Sequence, residues 1–331
     1  MKDFACWIVE RGSDGELKSG MARRGLADLP QGDVLVRISW TSLNYKDGLA
    51  ATGHPGVAKR LPHVPGIDAV GLVEESSDPR FVQGQEVLVG GQEFGAGSWG
   101  GWSGYARVPA EWVIPLPDGL SREEAATLGV AGITAALSVR KLIDHGIGPA
   151  SGEVLVTGAT GGVGILAVMI LGRIGFRVVA STGKSDRAEW LRSFGASRSI
   201  HRSELETESD APLLKSRWAA AIDTVGGTTL ANVLRSTKVG GCVTACGLVG
   251  GQNLSLTVHP FILRGITLCG IDTAWTPRDE RLELWKRLSG IWKPEGLSEI
   301  SQGIRLHDAQ AAFTTILEGG VAGRTIIHVA D

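Results

Sequence analysis

Cysteine is scarce in this chain of 331 residues: only Cys6, Cys242, Cys246 and Cys269 occur. None forms a CxxC pair, so neither a disulfide framework nor a four-cysteine structural zinc is encoded. The seven histidines are scattered and form no HxxxH or HExxH spacing, which leaves no helical zinc motif. There is no basic block and the net charge is −2, so nothing marks a surface for nucleic acid or anionic lipid. The longest apolar stretches, 125–137 and 165–171, fall short of the roughly 20 residues of a membrane span. The opening MKDFACWIVERGSDG carries an apolar run too short for a signal-peptide core and meets Glu10 at once. Together these features lead us to expect a soluble, cytoplasmic protein with no membrane and no nucleic-acid partner.

What is present points to an enzyme. The length exceeds what one compact core usually holds, so two domains are expected. The 47 glycines follow no G-x-y period and read as tight turns. The first third shows short strands between turn residues, at 34–40, 69–74 and 87–89, the pattern of an irregular, barrel-like β domain. Near Ser121 the pattern changes. Ser121 and Glu124 have capping-box spacing, and a helix is expected from there to about Lys141. Strands then alternate with helices: strand 154–157, helix 163–174, strand 177–181, helix 186–194, strand 199–201, strand 219–223, helix 230–236 and strands 242–246 and 266–269. Such alternation predicts a parallel sheet with helices on both faces. Helices 278–288 and 308–317 and a strand at 325–329 follow, and this tail is expected to return to the first domain. The domains expected are therefore 1–120 with 272–331, and 121–271.

The strongest motif is Val154-Leu155-Val156-Thr157-Gly158-Ala159-Thr160-Gly161-Gly162-Val163-Gly164. It follows an apolar strand and opens an apolar helix, the context a dinucleotide turn requires. Ala159, Gly161 and Gly164 take the three glycine positions. Gly161 lets backbone approach a pyrophosphate, and Gly164 lets the helix lie close to the strand. The helix N-terminus offers free amides. An NAD site places a carboxylate about 20 residues further on. Here that position falls at Ser181 or Thr182, with Lys184 close behind, so NADPH is the expected cofactor. Asp186 is read as the cap of the next helix, with Glu189 three residues later. Arg198 is a second candidate for the adenosine phosphate.

Asn44-Tyr45-Lys46-Asp47, Pro65-Gly66-Ile67-Asp68-Ala69-Val70-Gly71 and the Thr157–Gly164 turn resemble the medium-chain dehydrogenase/reductase superfamily and its zinc-free, quinone-oxidoreductase-like members. Ser42-Leu43-Asn44-Tyr45-Lys46-Asp47, Asp78-Pro79-Arg80-Phe81, Ala221–Gly226, Cys246-Gly247-Leu248 and Pro260–Arg264 are similar to its acryloyl-CoA reductase branch. The resemblance runs on to Gly323-Arg324-Thr325 and so covers nearly the whole chain. It implies an α/β protein with a GroES-like β-rich catalytic domain plus a Rossmann doubly wound parallel-sheet domain, in a homodimer. It implies NADPH-dependent reduction of acryloyl-CoA to propanoyl-CoA. By matching position it puts Tyr45 near the nicotinamide and Thr160, Gly161, Gly162 and Val163 on the pyrophosphate. Thr182, Gly183, Lys184 and Arg198 would surround the adenosine phosphate. Leu248, Ile262 and Thr273 would approach the nicotinamide half, and Arg324 would close the cleft from the tail. Thr160 stands where a Ser is common and Lys184 where an Arg is common, and both keep the chemistry.

Zinc-dependent relatives hold their metal with a Cys near the Asn44-Tyr45 position and a His-Glu pair after the Pro65-Gly66 glycine. This chain has Ile67-Asp68 there, and isoleucine cannot ligate, so no metal is expected. Without a Lewis acid, reduction of an activated alkene is favoured over alcohol oxidation. Hydride goes to the β-carbon, charge spreads into the carbonyl, and a proton reaches the α-carbon. Tyr45, Asn44 and Asp68 are the catalytic candidates. Tyr45 either delivers the proton or packs on the cofactor, and Asp68 either positions Tyr45 or Lys46 or caps the Pro65-Gly66 turn. A CoA ester needs basic residues for its phosphates, for which Lys59, Arg60 and Arg264 are candidates. Two other functions fit the cofactor motif: a general NADPH:quinone or enone reductase, and a non-catalytic NADPH-binding protein.

Overall fold

In the computed structural model, residues 3–329 are described. The chain divides into two compact units. One comprises Met1–Val130, Ala274–Ser289 and Leu297–Asp331; the other comprises Ala131–Thr273 and Gly290–Gly296. The tail thus rejoins the first unit. The first junction lies further along the chain than residue 120, and a short piece after Ser289 goes with the inserted unit.

The chain opens with an antiparallel pair, β1 (Asp3–Arg11) and β2 (Leu17–Gly25). β3 (Val34–Leu43) follows, then a short helix α1 (Tyr45–Ala51), β4 (Asp68–Ser76), β5 (Glu86–Gly90), β6 (Tyr105–Val108) and β7 (Val113–Pro115). Next comes α2 (Arg122–Asp144), whose start carries the expected capping box. Glu124 N donates to Ser121 Oγ at 3.1 Å, and Ser121 N donates to Glu124 Oε2 at 2.9 Å. α2 is broken at Gly129 (φ 47, ψ −151), one residue before the first unit gives way to the second.

The inserted unit runs β8 (Glu153–Val156), α3 (Gly162–Arg173), β9 (Arg177–Thr182), α4 (Ala188–Ser193), β10 (Ala196–His201) and α5 (Ser203–Glu206). It continues with β11 (Trp218–Asp223), α6 (Gly227–Ser236), β12 (Thr237–Ala245), α7 (His259–Arg264) and β13 (Thr267–Gly270). Its six strands are all parallel, in the order β10-β9-β8-β11-β12-β13. That is the doubly wound order, with the switch point beside β8. The returning tail contains α8 (Arg278–Leu288), β14 (Ser301–Arg305), α9 (Ala309–Leu317) and β15 (Arg324–His328). β15 pairs antiparallel with β3, placing Thr325 opposite Leu43, and β14 pairs with β15. The sheet of the first unit reads β14-β15-β3-β4-β5-β7, with β6 also on β3.

Tryptophan frequency has a partial explanation in this unit. Trp102 stacks on Phe313 at 6.3 Å, and Trp7 meets both edge-on. The cluster fills the core between β1 and α9. Trp102 Nε1 also donates to Ser42 O at 3.2 Å, which ties this core to the end of β3. In the inserted unit, Leu155, Val179, Trp218, Val233 and Val243 are buried together.

Run length alone understates the apolar character of one helix. α2 is long and apolar enough by length and composition to cross a bilayer. Yet 78% of that window is buried within the protein, and Gly129 interrupts the helix. It is a core helix.

Candidate functional site

The first unit gathers a buried polar cluster at the junction of β3 and α1. Asn44 is the N-cap of α1. Asp47 stands three residues on, so the turn is a capping box made by an aspartate. Asp47 Oδ2 accepts from Asn44 N at 2.7 Å and Asn44 Nδ2 at 3.0 Å. Its other oxygen accepts from Ile67 N at 2.8 Å and Gly66 N at 3.2 Å. Asp47, rather than Asp68, therefore caps the Pro65-Gly66 turn. Burial, with the charge of Asp68 added, pushes the Asp47 carboxyl up to about 7 against its N–H donors.

Asp68 is buried at the start of β4 and faces the other way. Oδ1 accepts from Ser42 N at 2.9 Å, and Oδ2 accepts from Val130 N at 3.0 Å and Asn44 Nδ2 at 3.3 Å. Ser42 Oγ lies 2.8 and 2.7 Å from the two oxygens. A Cβ on Gly129 would overlap the Asp68 carboxylate, so only glycine lets α2 pass here. No hydrogen bond or ion pair joins Asp68 to Tyr45 or Lys46 among the described residues. Asp68 is engaged by the backbone amides of Ser42 and Val130 and by the side chains of Ser42 and Asn44.

Arg324 departs from the expected cleft-closing role for the same reason. It is 4% exposed. Nε donates to Thr127 O at 2.8 Å, Nη1 to Asn44 Oδ1 at 3.1 Å, and Nη2 to Ser42 Oγ at 2.8 Å. The guanidinium is the cation of this cluster, and with a longer bond from Nη1 to Leu43 O at 3.5 Å it has four of its five N–H donors engaged. Asn44 is likewise committed. Its amide nitrogen has two hydrogens and three acceptors in reach, namely Ser42 Oγ, Asp47 Oδ2 and Asp68 Oδ2. It has none left for an enolate. Tyr45, the first residue of α1, is 39% exposed and is the one expected catalytic group that faces outward.

One prediction follows from Asp47. Its folded pKa is raised, so the folded state holds an extra proton between the ordinary carboxylate range and about pH 7. Stability therefore falls as pH rises through that window, by up to about 1.4 kcal/mol per pH unit. Asp47→Asn, measured by urea unfolding at several pH values, is expected to flatten that slope. It also lowers stability throughout, because the amide NH2 must face N–H donors. An unchanged slope would remove Asp47 as its source.

The inserted unit holds the second half of the expected residues. Gly161 is the N-cap of α3, and its amide bonds Gly158 O at 2.9 Å. Gly162 and Val163 follow in the first turn, half exposed. Among the described residues no acceptor takes the amides of Gly162, Val163 and Gly164, so three donors stand ready for an anion. A Cβ on Gly164 would overlap Gly158 O; the turn is as tight as a dinucleotide turn requires. Thr160 Oγ1 lies 3.2 Å from Thr182 Oγ1 across β8 and β9, and Thr182 Oγ1 accepts from Lys184 N at 3.0 Å. The turn after β8 and the loop after β9 are thus joined at the carboxyl end of the sheet. Leu248 follows β12 and Thr273 follows β13 on that edge. Leu248 is exposed, and Thr273 Oγ1 lies 2.8 Å from Thr134 Oγ1. Ile262 is exposed on α7.

Two expectations in this unit change. Asp186 does not cap α4: it lies in a 3-10 turn, Ser185–Arg187, with its carboxylate 3.4 Å from Arg187 Nε. Arg198 does not face the β9 loop. It forks onto Glu153 at 2.9 and 2.8 Å and lies over the Trp218 ring at 5.8 Å. The arginine beside the loop is Arg202. Its backbone amide bonds Thr182 O at 2.9 Å, and a Cβ on Gly183 would sit 2.8 Å from its Nε. Its side chain is exposed, with Glu206 at 3.5 Å. Burial and then the charges of Arg187 and Arg202 hold the Lys184 ammonium below its usual pKa, with Asp186 opposing. Three cations therefore crowd one loop.

A tight glycine turn at the carboxyl edge of a 3-2-1-4-5-6 sheet, carried by a chain whose tail rejoins a β-rich unit, defines a two-unit, dinucleotide-dependent dehydrogenase or reductase. Residues 30–118 match the alcohol dehydrogenase GroES-like domain, and residues 162–289 match the zinc-binding dehydrogenase family. The chain belongs to the medium-chain dehydrogenase/reductase family. Over 316 residues it is 43% identical to an Escherichia coli protein named probable acrylyl-CoA reductase AcuI, covering 96% of this chain and 97% of that one. It is 44% identical over 303 residues to the putative quinone oxidoreductase YhfP of Bacillus subtilis, covering 91% and 92%. The crystal structure of the yhdH oxidoreductase of Salmonella enterica in complex with NADP superposes with a TM-score of 0.94 at 45% identity, covering 98% of this chain and all of that one. The second family carries zinc in its name. Among the described residues, no three or more His, Cys, Asp or Glu side chains stand together as a metal site.

Proposed function

We propose that this protein uses NADPH to reduce the C=C bond of an α,β-unsaturated thioester, converting acryloyl-CoA to propanoyl-CoA. The observation that carries the reading is the 43% identity, over nearly the full length of both chains, to a protein named for that reaction. The cofactor choice rests on this chain's own residues. The end of β9 offers Ser181 and Thr182 where an NAD site would have a carboxylate. Lys184, Arg187 and Arg202 crowd the loop that follows, which suits a 2′-phosphate.

NADPH, when bound, supplies the hydride. The amides of Gly162, Val163 and Gly164 bind the pyrophosphate, and Thr160 and Thr182 orient the loop that takes the adenosine phosphate. Leu248, Ile262 and Thr273 belong to the nicotinamide half in this reading. The wired cluster of Ser42, Asn44, Asp47, Asp68 and Arg324 fixes the first turn of α1, and so the backbone that carries Tyr45. The Tyr45 hydroxyl delivers the proton to the α-carbon or orders the water that does. Tyr45→Phe is expected to lower kcat by about 10²-fold or more while the Kd for NADPH holds. Full turnover by that variant would leave Tyr45 a packing role alone.

Incubation with acryloyl-CoA and NADPH deuterated at nicotinamide C4 tests the reaction directly. The reading expects propanoyl-CoA with the label on its β-carbon; unchanged acryloyl-CoA would overturn it. A quinone reductase is the second reading, favoured by the 44% identity to the relative of that name.

A homodimer in the cytoplasm belongs to the same proposal. β13 ends its sheet, so its outer edge suits strand pairing with a second copy. The four cysteines are free thiols, which suits a reducing compartment.

A further inference from the structure

We propose that Lys59 and Arg60, with Lys46 beside Tyr45, bind the phosphates of the coenzyme A half of the substrate; this rests on the thioester reading above. The charge of the segment is one-sided. Between Asn44 and Ile67 the only acid is Asp47, which is buried and fully engaged by N–H donors. Lys46, Lys59 and Arg60 are exposed. Among the described residues no carboxylate lies within ion-pair distance of any of them. In a chain of net charge −2, this stretch is a local positive surface.

The third basic candidate is spent elsewhere. Arg264 donates to Arg235 O at 2.7 Å, Thr237 O at 2.9 Å and Leu214 O at 2.6 Å. It closes the carboxyl end of α6 and has a structural task.

The loop that bears Lys59 and Arg60 is held in place. Val57 and Ala58 are buried, and their amides both bond His54 O at 2.9 Å. Beyond the two cations, Trp99 Nε1 donates to Pro62 O at 2.8 Å, and His63 exchanges both backbone hydrogen bonds with Val9. The Lys59 and Arg60 side chains reach into solvent from an anchored backbone, so little ordering cost opposes binding.

The loop leaves the carboxyl end of α1 at His54, whose amide bonds Leu49 O, and returns to its amino end at Gly66 and Ile67, which bond Asp47. It therefore flanks the helix that Tyr45 begins. α1 is about 10 Å long, which an extended pantetheine arm exceeds. A thioester held at Tyr45 leaves its phosphates over this loop.

The test is a Lys59→Glu/Arg60→Glu double variant, titrated with free coenzyme A on protein saturated with NADP+. Turnover is measured with acryloyl-CoA and with the acryloyl thioester of N-acetylcysteamine, which has no phosphate. The expected result is roughly tenfold weaker CoA binding and a matching rise in KM for acryloyl-CoA. kcat, NADPH affinity and the short thioester should be unaffected. Equal CoA affinity in the two proteins, no CoA binding by the unaltered protein, or equal losses with both thioesters would each overturn the assignment. Turnover separates the two claims. If the unaltered protein reduces neither thioester, the reductase reading fails, while the CoA titration still decides the site.

Discussion

Arg324→Met is expected to cost about 3–5 kcal/mol of stability, the usual loss when one member of a buried ionic cluster is removed. Arg324 is 4% exposed and is the cation nearest two buried carboxylates, Asp47 and Asp68. Methionine has a similar volume but no hydrogen bonds. Thr127 O and Asn44 Oδ1 would lose their donor, and both carboxylates would be left with no compensating cation. Burial drags the guanidinium below its usual pKa, and the charges of Asp68 and Asp47 oppose that shift. Arg324→Lys keeps the charge but not the fork, so an intermediate loss is expected. Urea unfolding of the three proteins orders them. If Met and Lys unfold like the original, the cluster carries no stability. Activity should fall further than stability explains, because Asn44 caps the helix that begins at Tyr45.

Lys184→Ala/Arg202→Ala is expected to weaken NADPH binding on the order of hundredfold, the worth of two charge-assisted contacts. NADH binding should barely change, since it lacks the 2′-phosphate. The control is Arg198→Ala. Arg198 is locked on Glu153, so its loss should lower stability and leave the NADPH:NADH ratio alone. Isothermal titration with both cofactors distinguishes the outcomes. A ratio that collapses in Arg198→Ala and survives in the double variant would reverse the assignment of these two arginines.

That exchange shows where sequence reading ends. The β8 turn was legible because strand, glycines and apolar helix are contiguous, and the Ser121–Glu124 box because a cap is local. α8 matched residue for residue. The two arginines are four residues apart on either side of a strand end, and which one meets the β9 loop depends on side-chain direction in β10. Arg198 is inside the strand and reaches Glu153. Arg202 lies past its end, where its amide meets Thr182 O. Arg324 was expected at a cofactor, yet pairing of β15 with β3 carries it into the buried cluster. The Asn44-x-x-Asp47 spacing was a readable cap signal, but Ser42 was not, since only tertiary packing brings Asp68 and Arg324 to its hydroxyl. β2 and β14 went unread because they lack an apolar alternation and none of their residues is buried.

The most direct test of the account is NADPH oxidation by the purified protein with acryloyl-CoA, crotonyl-CoA and a simple quinone in parallel, with NADH as the control cofactor. The expected result is rapid oxidation with acryloyl-CoA, slow oxidation with the other two, and little with NADH. A quinone as the best acceptor would contradict the thioester assignment, and tight NADPH binding with no oxidation by any acceptor would contradict the enzyme itself.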